Sequence, residues 1–228
     1  MESIENLAVM FKEESLHEAL TPYLVEDEFF GKILKHPLVF SLPYHELENH
    51  RINMQYTAKS EAVEKAIAEG NYHTAIYLHE RPYRLDAFEQ LESEIPDDQY
   101  WQLVVSLWTD TENAWQNIDT WKYYWDNDHP NRLENVMEED ELKVYNELPQ
   151  TVTIYRGYHV DSQLSGLAWT LDRKKAEWFA KRFSHKEPKI ASTTIDKSLI
   201  KAYLTARNEE EIIVDPETFV NPVKIKKI

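Results

Sequence analysis

Three short stretches in the last third of the chain place polar side chains where a strand or a turn would present them. The first contains Arg156, the second Thr170, and the third a run of three glutamates, 209–211. These residue types suit a site that binds an anionic group and stabilises a positive charge. The guanidinium can bind phosphate oxygens, and a carboxylate can stabilise a cation that forms during a reaction.

Arg156 lies at the end of a predicted strand. Residues 152–155 alternate as a half-buried strand does, and Gly157 follows the arginine. A guanidinium at this point can bind two phosphate oxygens at once, and a glycine allows the backbone to approach a flat ring closely. The alternative for the arginine is an ordinary surface ion pair.

The hydroxyl of Thr170 ends a second β-like stretch, which also contains Ala168 and Trp169. A predicted helix over residues 174–183 follows, with Asp172 as its N-cap. The hydroxyl can hydrogen-bond a nearby carboxylate and hold its rotamer. Trp169 is bulky enough to wall a pocket, and a place in the ordinary core is the alternative.

The third stretch has its glutamates directly before the apolar run 212–214. This order predicts a loop that leads into a strand, with Glu209 and Glu211 close together. A solvated acidic turn between strands is the alternative for such a run.

In the order arginine, hydroxyl, glutamate, these stretches resemble the mono-ADP-ribosyltransferases of the Arg–Ser–Glu type, which include many bacterial toxins and phage-encoded modifying enzymes. The resemblance covers about the last hundred residues. The matching tripeptides are Tyr155-Arg156-Gly157, Ala168-Trp169-Thr170 and Glu209-Glu210-Glu211. The family's second motif is Ser-Thr-Ser, so Ala168 lacks the first hydroxyl of that motif and any ribose contact that it makes.

The resemblance implies NAD as the co-substrate and no metal. In the family, the arginine supports NAD, and the residue after it contacts the carboxamide through its backbone. We therefore expect Arg156, Gly157 and Trp169 to form the NAD site.

The resemblance also assigns the catalytic residues. It implies that Glu211 binds the ribose 2′-hydroxyl and stabilises the ribosyl cation, and that Thr170 orients this glutamate. The first glutamate of the pair is typical of members that modify arginine, which gives Glu209 the role of preparing the acceptor.

These implications predict an enzyme that transfers ADP-ribose from NAD to an arginine of a target protein. By resemblance it is a bacteriophage or bacterial effector that acts inside the host cell. Two alternatives stay open. One is an NAD glycohydrolase that uses the same site, and the other is a non-catalytic acidic inhibitor or adaptor that binds a basic protein.

The composition limits the classes of protein to which the chain can belong. It has 228 residues, of which 42% are hydrophobic, and no cysteine, which excludes disulfides and thiolate chemistry. No apolar run is long enough to span a bilayer, and the N-terminus lacks a signal-peptide pattern, so we expect a cytoplasmic protein without membrane contacts. No histidine pattern typical of a zinc site occurs.

The charge is distributed unevenly along the chain. The net charge is −16; residues 151–228 hold 14 Lys and Arg against 10 Asp and Glu, whereas residues 1–150 hold 11 against 31. The acidic part repels phosphates, which argues against a nucleic-acid partner. It can attract a basic protein, and a solvated acidic surface is the alternative.

The periodicity of the apolar residues predicts an α+β protein in two parts, with a boundary near residues 94–98. Residues 1–95 are expected to form a helical N-terminal domain of unknown role. Within it the helical segments are predicted at 2–20, 61–69 (capped by Gly70), 72–79 and 85–94, with 21–57 irregular.

Residues 96–228 are expected to form a compact, mixed β-sheet ADP-ribosyltransferase-like domain, with helices from about Asp98 as one wall. A capping box at 109–112 predicts a helix that contains Trp115. Five tryptophans in this stretch are expected to be core residues: Trp101, Trp108, Trp115, Trp121 and Trp125.

Overall fold

The computed structural model describes residues 14–41, 43–159, 164–182, 187–206 and 209–228. The chain divides into two compact units, Met1–Ile95 and Pro96–Ile228. Both units contain helices and strands, so the fold class is α+β.

In its described residues, the first unit combines a small antiparallel sheet with three α-helices. The sheet has the order β1-β2-β3. Its strands are β1 (Leu24–Asp27), β2 (Gly31–His36) and β3 (Val39–Ser41), and the helices are α1 (Asn49–Ala68), α2 (Tyr72–Tyr77) and α3 (Arg84–Leu91). A hydrophobic core cluster between the sheet and α1 is formed by Leu20, Leu34, Leu38, Val39 and Ile52.

The expectation of a purely helical first domain is wrong, because residues 24–41 form the sheet rather than an irregular segment. Of the helix predicted over 2–20, residues 14–20 are not helical, and the rest lies outside the described residues. The other helix predictions in this unit lie on α1, α2 and α3, although α1 begins earlier than expected.

Gly70 ends α1 as predicted. Its φ of 68° is left-handed. Its N–H donates to the Ile67 carbonyl at 2.9 Å, and the Asn71 N–H donates to the Ala66 carbonyl at 2.8 Å. This pair of bonds is the Schellman motif, in which glycine is favoured because it has no Cβ.

The second unit contains a six-stranded antiparallel sheet with the order β7-β8-β5-β4-β6-β9. Its strands are β4 (Thr151–Tyr158), β5 (Ala168–Thr170), β6 (Lys189–Asp196), β7 (Ala202–Leu204), β8 (Glu211–Ile213) and β9 (Lys224–Lys227). Its helices are α4 (Asp97–Asp110), α5 (Ile118–Asp126), α6 (Arg132–Val136), α7 (Glu139–Glu147) and α8 (Arg173–Lys181).

The predicted helix starts in this unit need correction. The sequence also predicts Asp98 as the N-cap of the first helix in this unit, but α4 begins at Asp97, and Pro96 occupies the N-cap position. The capping box expected at 109–112 does not form, because α4 continues to Asp110 and α5 begins only at Ile118. Thr111 instead closes α4, since its N–H and its hydroxyl both donate to the Leu107 carbonyl.

Four of the five tryptophans are core residues, as predicted. The indoles of Trp108, Trp121 and Trp125 meet edge to face, with ring centroids 5.1 Å and 5.9 Å apart around Trp108. Trp101 stacks with Trp125 at 6.3 Å. Trp115 departs from the prediction, because it lies in the connection between α4 and α5 and is 65% exposed.

Candidate active site

Strand pairing brings the second and third motifs side by side. Thr170 of β5 lies opposite Glu211 of β8, and on its other side opposite Tyr155 of β4. Residues directly opposite each other on antiparallel strands project from the same face of the sheet. The Thr170 and Glu211 side chains therefore start from neighbouring positions on one face, next to the strand that carries the arginine.

A cavity of about 310 Å³ opens at this place, within the usual range of about 300–1,000 Å³ for ligand pockets. Its lining includes all six residues that the sequence indicated: Arg156, Gly157, Trp169, Thr170, Glu209 and Glu211. Residues far apart in the chain thus converge on one concave surface.

The Arg156 guanidinium is held against the neighbouring strand. Its Nη1 donates to the Ala168 carbonyl. A Cβ at Gly166 would lie 2.1 Å from Nη2, so this glycine leaves the space that the guanidinium fills. Burial lowers the Arg156 pKa to about 10, and the charge of Glu211 acts in the opposite direction. The guanidinium is still protonated at neutral pH, and it lies close enough to Glu211 for the two charges to interact.

Gly157 has a packing role that the sequence did not indicate. A Cβ at this position would lie 1.8 Å from the Ala176 carbonyl oxygen and 2.7 Å from the Ala180 nitrogen. The absent side chain therefore lets helix α8 pack directly on strand β4. The space at its Cα is filled by protein, so the expected reason for this glycine, approach of a flat ring to that space, is replaced by helix packing.

The Thr170 hydroxyl binds backbone rather than the Glu211 carboxylate. It is 5% exposed. It donates to the Glu209 carbonyl at 3.2 Å and accepts from the Asp172 N–H at 3.1 Å. A hydroxyl has one proton to donate. Thr170 therefore holds the loop that precedes Glu211, instead of orienting the carboxylate as expected.

The turn at the start of β8 has an uncommon backbone conformation. Glu210 has a φ of 48°, in the left-handed region that non-glycine residues rarely adopt. Its carboxylate lies 3.7 Å from the Lys175 Nζ on α8. Such conformations cost about 1–3 kcal/mol and cluster at functional sites. The strained residue lies between the two glutamates of the motif, both of which line the cavity.

Trp108 of α4 contacts the Glu211 carboxylate, which sequence reasoning did not find. Its Nε1 donates to Oε2 at 3.2 Å. The tryptophan itself was expected only as a core residue. The two residues are 103 positions apart, so no local pattern connects them.

Trp169 forms a wall of the cavity from the core side. It is buried, its Nε1 donates to the Gly166 carbonyl at 3.1 Å, and its ring meets the edge of Phe219 at 5.2 Å. The indole thus fixes the segment that lies against the guanidinium. Both readings of the sequence, pocket wall and core, apply to this residue.

Further polar and aromatic residues complete the lining. Glu112 and Trp115 lie in the connection after α4, and His159 and Arg182 lie after β4 and α8. The cavity therefore has two arginines and three glutamates in its lining, which suits a ligand with both anionic and cationic parts.

The described ranges contain no group of three or more His, Asp or Glu residues placed to hold a metal ion. In the same ranges, every helix is too short or too polar to cross a membrane. No protein-family model, curated protein or solved structure matches this chain.

Proposed function

We propose that this protein transfers ADP-ribose from NAD to an arginine side chain of a target protein. The observation that supports it most is the convergence of Arg156, Thr170 and Glu211 on one cavity. The three come from separate stretches, yet strand pairing sets two of them opposite each other, and the third lies one strand away. By resemblance, the protein is a phage or bacterial effector that acts in the host cytoplasm.

In this proposal the NAD pyrophosphate binds to Arg156. A guanidinium that is partly desolvated and already fixed by the Ala168 carbonyl loses little conformational freedom when it binds phosphate. Trp169 and the backbone at Gly157 border the same space. The nicotinamide ribose then lies beside Glu211.

Glu211 supports the departure of nicotinamide. The bond between the ribose C1′ and the ring nitrogen breaks, and its electron pair leaves with nicotinamide. The ribose becomes a cation, which the nearby carboxylate stabilises electrostatically. A carboxylate held by a buried indole does not need to reorganise during this step.

Glu209 serves the acceptor. An arginine nitrogen attacks C1′, and the proton that it loses passes to the Glu209 carboxylate. The Thr170 hydroxyl holds the backbone of Glu209, so the two glutamates keep a fixed spacing. Water in the place of arginine would give free ADP-ribose by the same route.

The test uses labelled NAD and a bacterial lysate with three proteins: wild type, Glu211→Gln and Glu209→Gln. The expected result is a labelled protein band with wild type only, and free ADP-ribose still formed by Glu209→Gln. A band that persists in Glu211→Gln contradicts the assignment. Free ADP-ribose without any band would show hydrolysis instead of transfer. If folded wild type gives neither a labelled band nor free ADP-ribose, the non-catalytic binding alternative is favoured.

A further inference from the structure

The hydrogen bond between Trp108 and Glu211 joins helix α4 to the sheet at the proposed catalytic carboxylate. The indole Nε1 is 3.2 Å from Oε2. An indole N–H can donate but cannot accept, so its partner must offer a lone pair. The ionised carboxylate does this at both oxygens, and the bond therefore favours the charged form.

The indole has little freedom to move. Trp108 is 5% exposed, and the edges of Trp121 and Trp125 meet it at interplanar angles of 88° and 83°. Its direction is set by the packing of α4 on α5 and not by the loop before β8. A donor fixed in this way can hold a carboxylate plane through a reaction.

Thr170 was expected to orient the Glu211 carboxylate, but its hydroxyl donates to a different group. The Thr170 hydroxyl gives its proton to the Glu209 carbonyl. Glu211 follows Glu210, whose backbone is strained. The backbone at Glu211 does not fix the rotamer of its side chain, so contacts with neighbouring residues must do so.

We infer that Trp108 is a positioning residue for Glu211, a role that rests on the proposed function of this site. It holds the carboxylate ionised and aimed at the ribose, and does not itself contact the reacting atoms. The structure thereby places the orienting donor on a helix, where the resembled family has a hydroxyl on a strand.

The core contains matched controls for this inference. Trp121 and Trp125 are buried, and within the described ranges their Nε1 atoms have no hydrogen-bond partner. A tryptophan-to-phenylalanine change at Trp125 removes the same atoms from the same cluster but breaks no hydrogen bond. Trp108→Phe removes the donor to Glu211 in addition.

The experiment compares nicotinamide release from NAD by wild type, Trp108→Phe and Trp125→Phe, each checked for folding by circular dichroism. For Trp108→Phe, kcat is expected to fall about ten- to a hundred-fold, while KM for NAD changes by less than about twofold. The acidic limb of its kcat profile should move to higher pH, because the ionised carboxylate has lost a donor. Equal losses of kcat in the two variants, with no shift of the profile, would overturn the inference.

A second measurement does not need turnover. The indole N–H signal of Trp108 in a ¹⁵N-correlated NMR spectrum, assigned with Trp108→Phe, should move when Glu211 is replaced by glutamine, and the Trp125 signal should not. An unmoved Trp108 signal overturns the inference. If wild type releases no nicotinamide but the signal moves, the proposed function fails and the positioning contact stands.

Discussion

The Arg156 guanidinium, which the proposed function assigns to the NAD pyrophosphate, is fixed by the neighbouring strand. It donates to the Ala168 carbonyl and fills the space left by Gly166. The lowered pKa, about 10, still leaves the side chain protonated at neutral pH, and the Glu211 charge supports that state. The Ala168 carbonyl and the Glu211 charge therefore stabilise the buried cation in the folded protein.

Replacing Arg156 with lysine tests this assignment. Lysine keeps the positive charge but cannot bind two phosphate oxygens with a planar fork. We expect KM for NAD to rise about tenfold or more, with the circular dichroism spectrum unchanged. An unaltered KM in nicotinamide-release kinetics would show that the pyrophosphate binds elsewhere.

Replacing Thr170 with valine tests the role of its hydroxyl. The change keeps the shape and leaves the Glu209 carbonyl and the Asp172 N–H without this partner. We expect the free energy of unfolding to fall by about 1–3 kcal/mol in urea titrations. Thr170→Ser, which keeps the hydroxyl, is the control. Full stability of the valine variant would argue that the two hydrogen bonds contribute nothing.

The residues of the site were predictable from the sequence to the extent that their signals are local. Arg156 follows an alternating stretch and Glu211 precedes an apolar run, and both patterns predict strands. The Trp108 contact joins positions 103 apart and depends on tertiary packing. The bonds of Thr170 depend on the path of the loop at 209–210. Contacts of this kind cannot be predicted from a short stretch of sequence, because they join residues that are distant in the chain.

At the scale of elements, the contact between α8 and β4 shapes the cavity. Three small residues, Gly157, Ala176 and Ala180, allow the helix and strand backbones to touch. The helix begins at Arg173 with Asp172 as its N-cap, which accepts from the Lys174 N–H at 2.7 Å. That cap was predicted from the sequence, since aspartate is favoured there.

Gly157→Ala and Gly166→Ala should separate folding from ligand binding. The first places a Cβ 1.8 Å from a backbone carbonyl and should cost about 3 kcal/mol or more of stability. The second meets only the end of the Arg156 side chain, which can shift, so it should mainly raise KM for NAD. Urea unfolding and kinetics of both variants would check this. A stable Gly157→Ala protein would contradict the close packing.

Strands were predicted from two patterns, the alternation in β4 and the continuous apolar run at 212–214, which overlaps β8. In β4, Val152 and Ile154 are buried between exposed threonines, so alternation is visible. In β2, Ile33 and Leu34 are adjacent and both buried, which hides the period of two. The sheet of the first unit was missed for this physical reason.

For the molecule as a whole, pH acts on the first unit through two of its histidines. In the first unit, burial lowers the pKa of His36 and of His79. The His36 Nδ1 accepts from the Leu38 N–H at 3.1 Å and must be unprotonated to do so. The positive charge of protonated His79 further lowers the His36 pKa. For His79, hydrogen bonds to the Ala75 and Ile76 backbone raise the pKa but do not offset burial, and the charge of Lys59 lowers it.

The first unit should therefore lose stability in mild acid. A histidine with a lowered pKa in the folded state takes up its proton more readily when unfolded, so stability is full above the unfolded pKa of about 6.5 and falls as pH drops below it. Amide hydrogen-exchange protection of α1 should be lower at pH 5.5 than at pH 7.5 after correction for intrinsic rates. His79→Gln should reduce that difference. Equal protection at both pH values would contradict the prediction.

In the proposed function, Glu211 supports cleavage of the nicotinamide–ribose bond. The most direct measurement is nicotinamide release from NAD by purified wild type, Glu211→Gln and Glu210→Gln. Glu210 is the matched control, because it adjoins Glu211 but its carboxylate faces Lys175. We expect wild type and Glu210→Gln to release nicotinamide. In folded Glu211→Gln, the rate of release should be lower by about a hundred-fold or more. Equal release by Glu211→Gln and wild type, or no release by wild type, would contradict the proposed function.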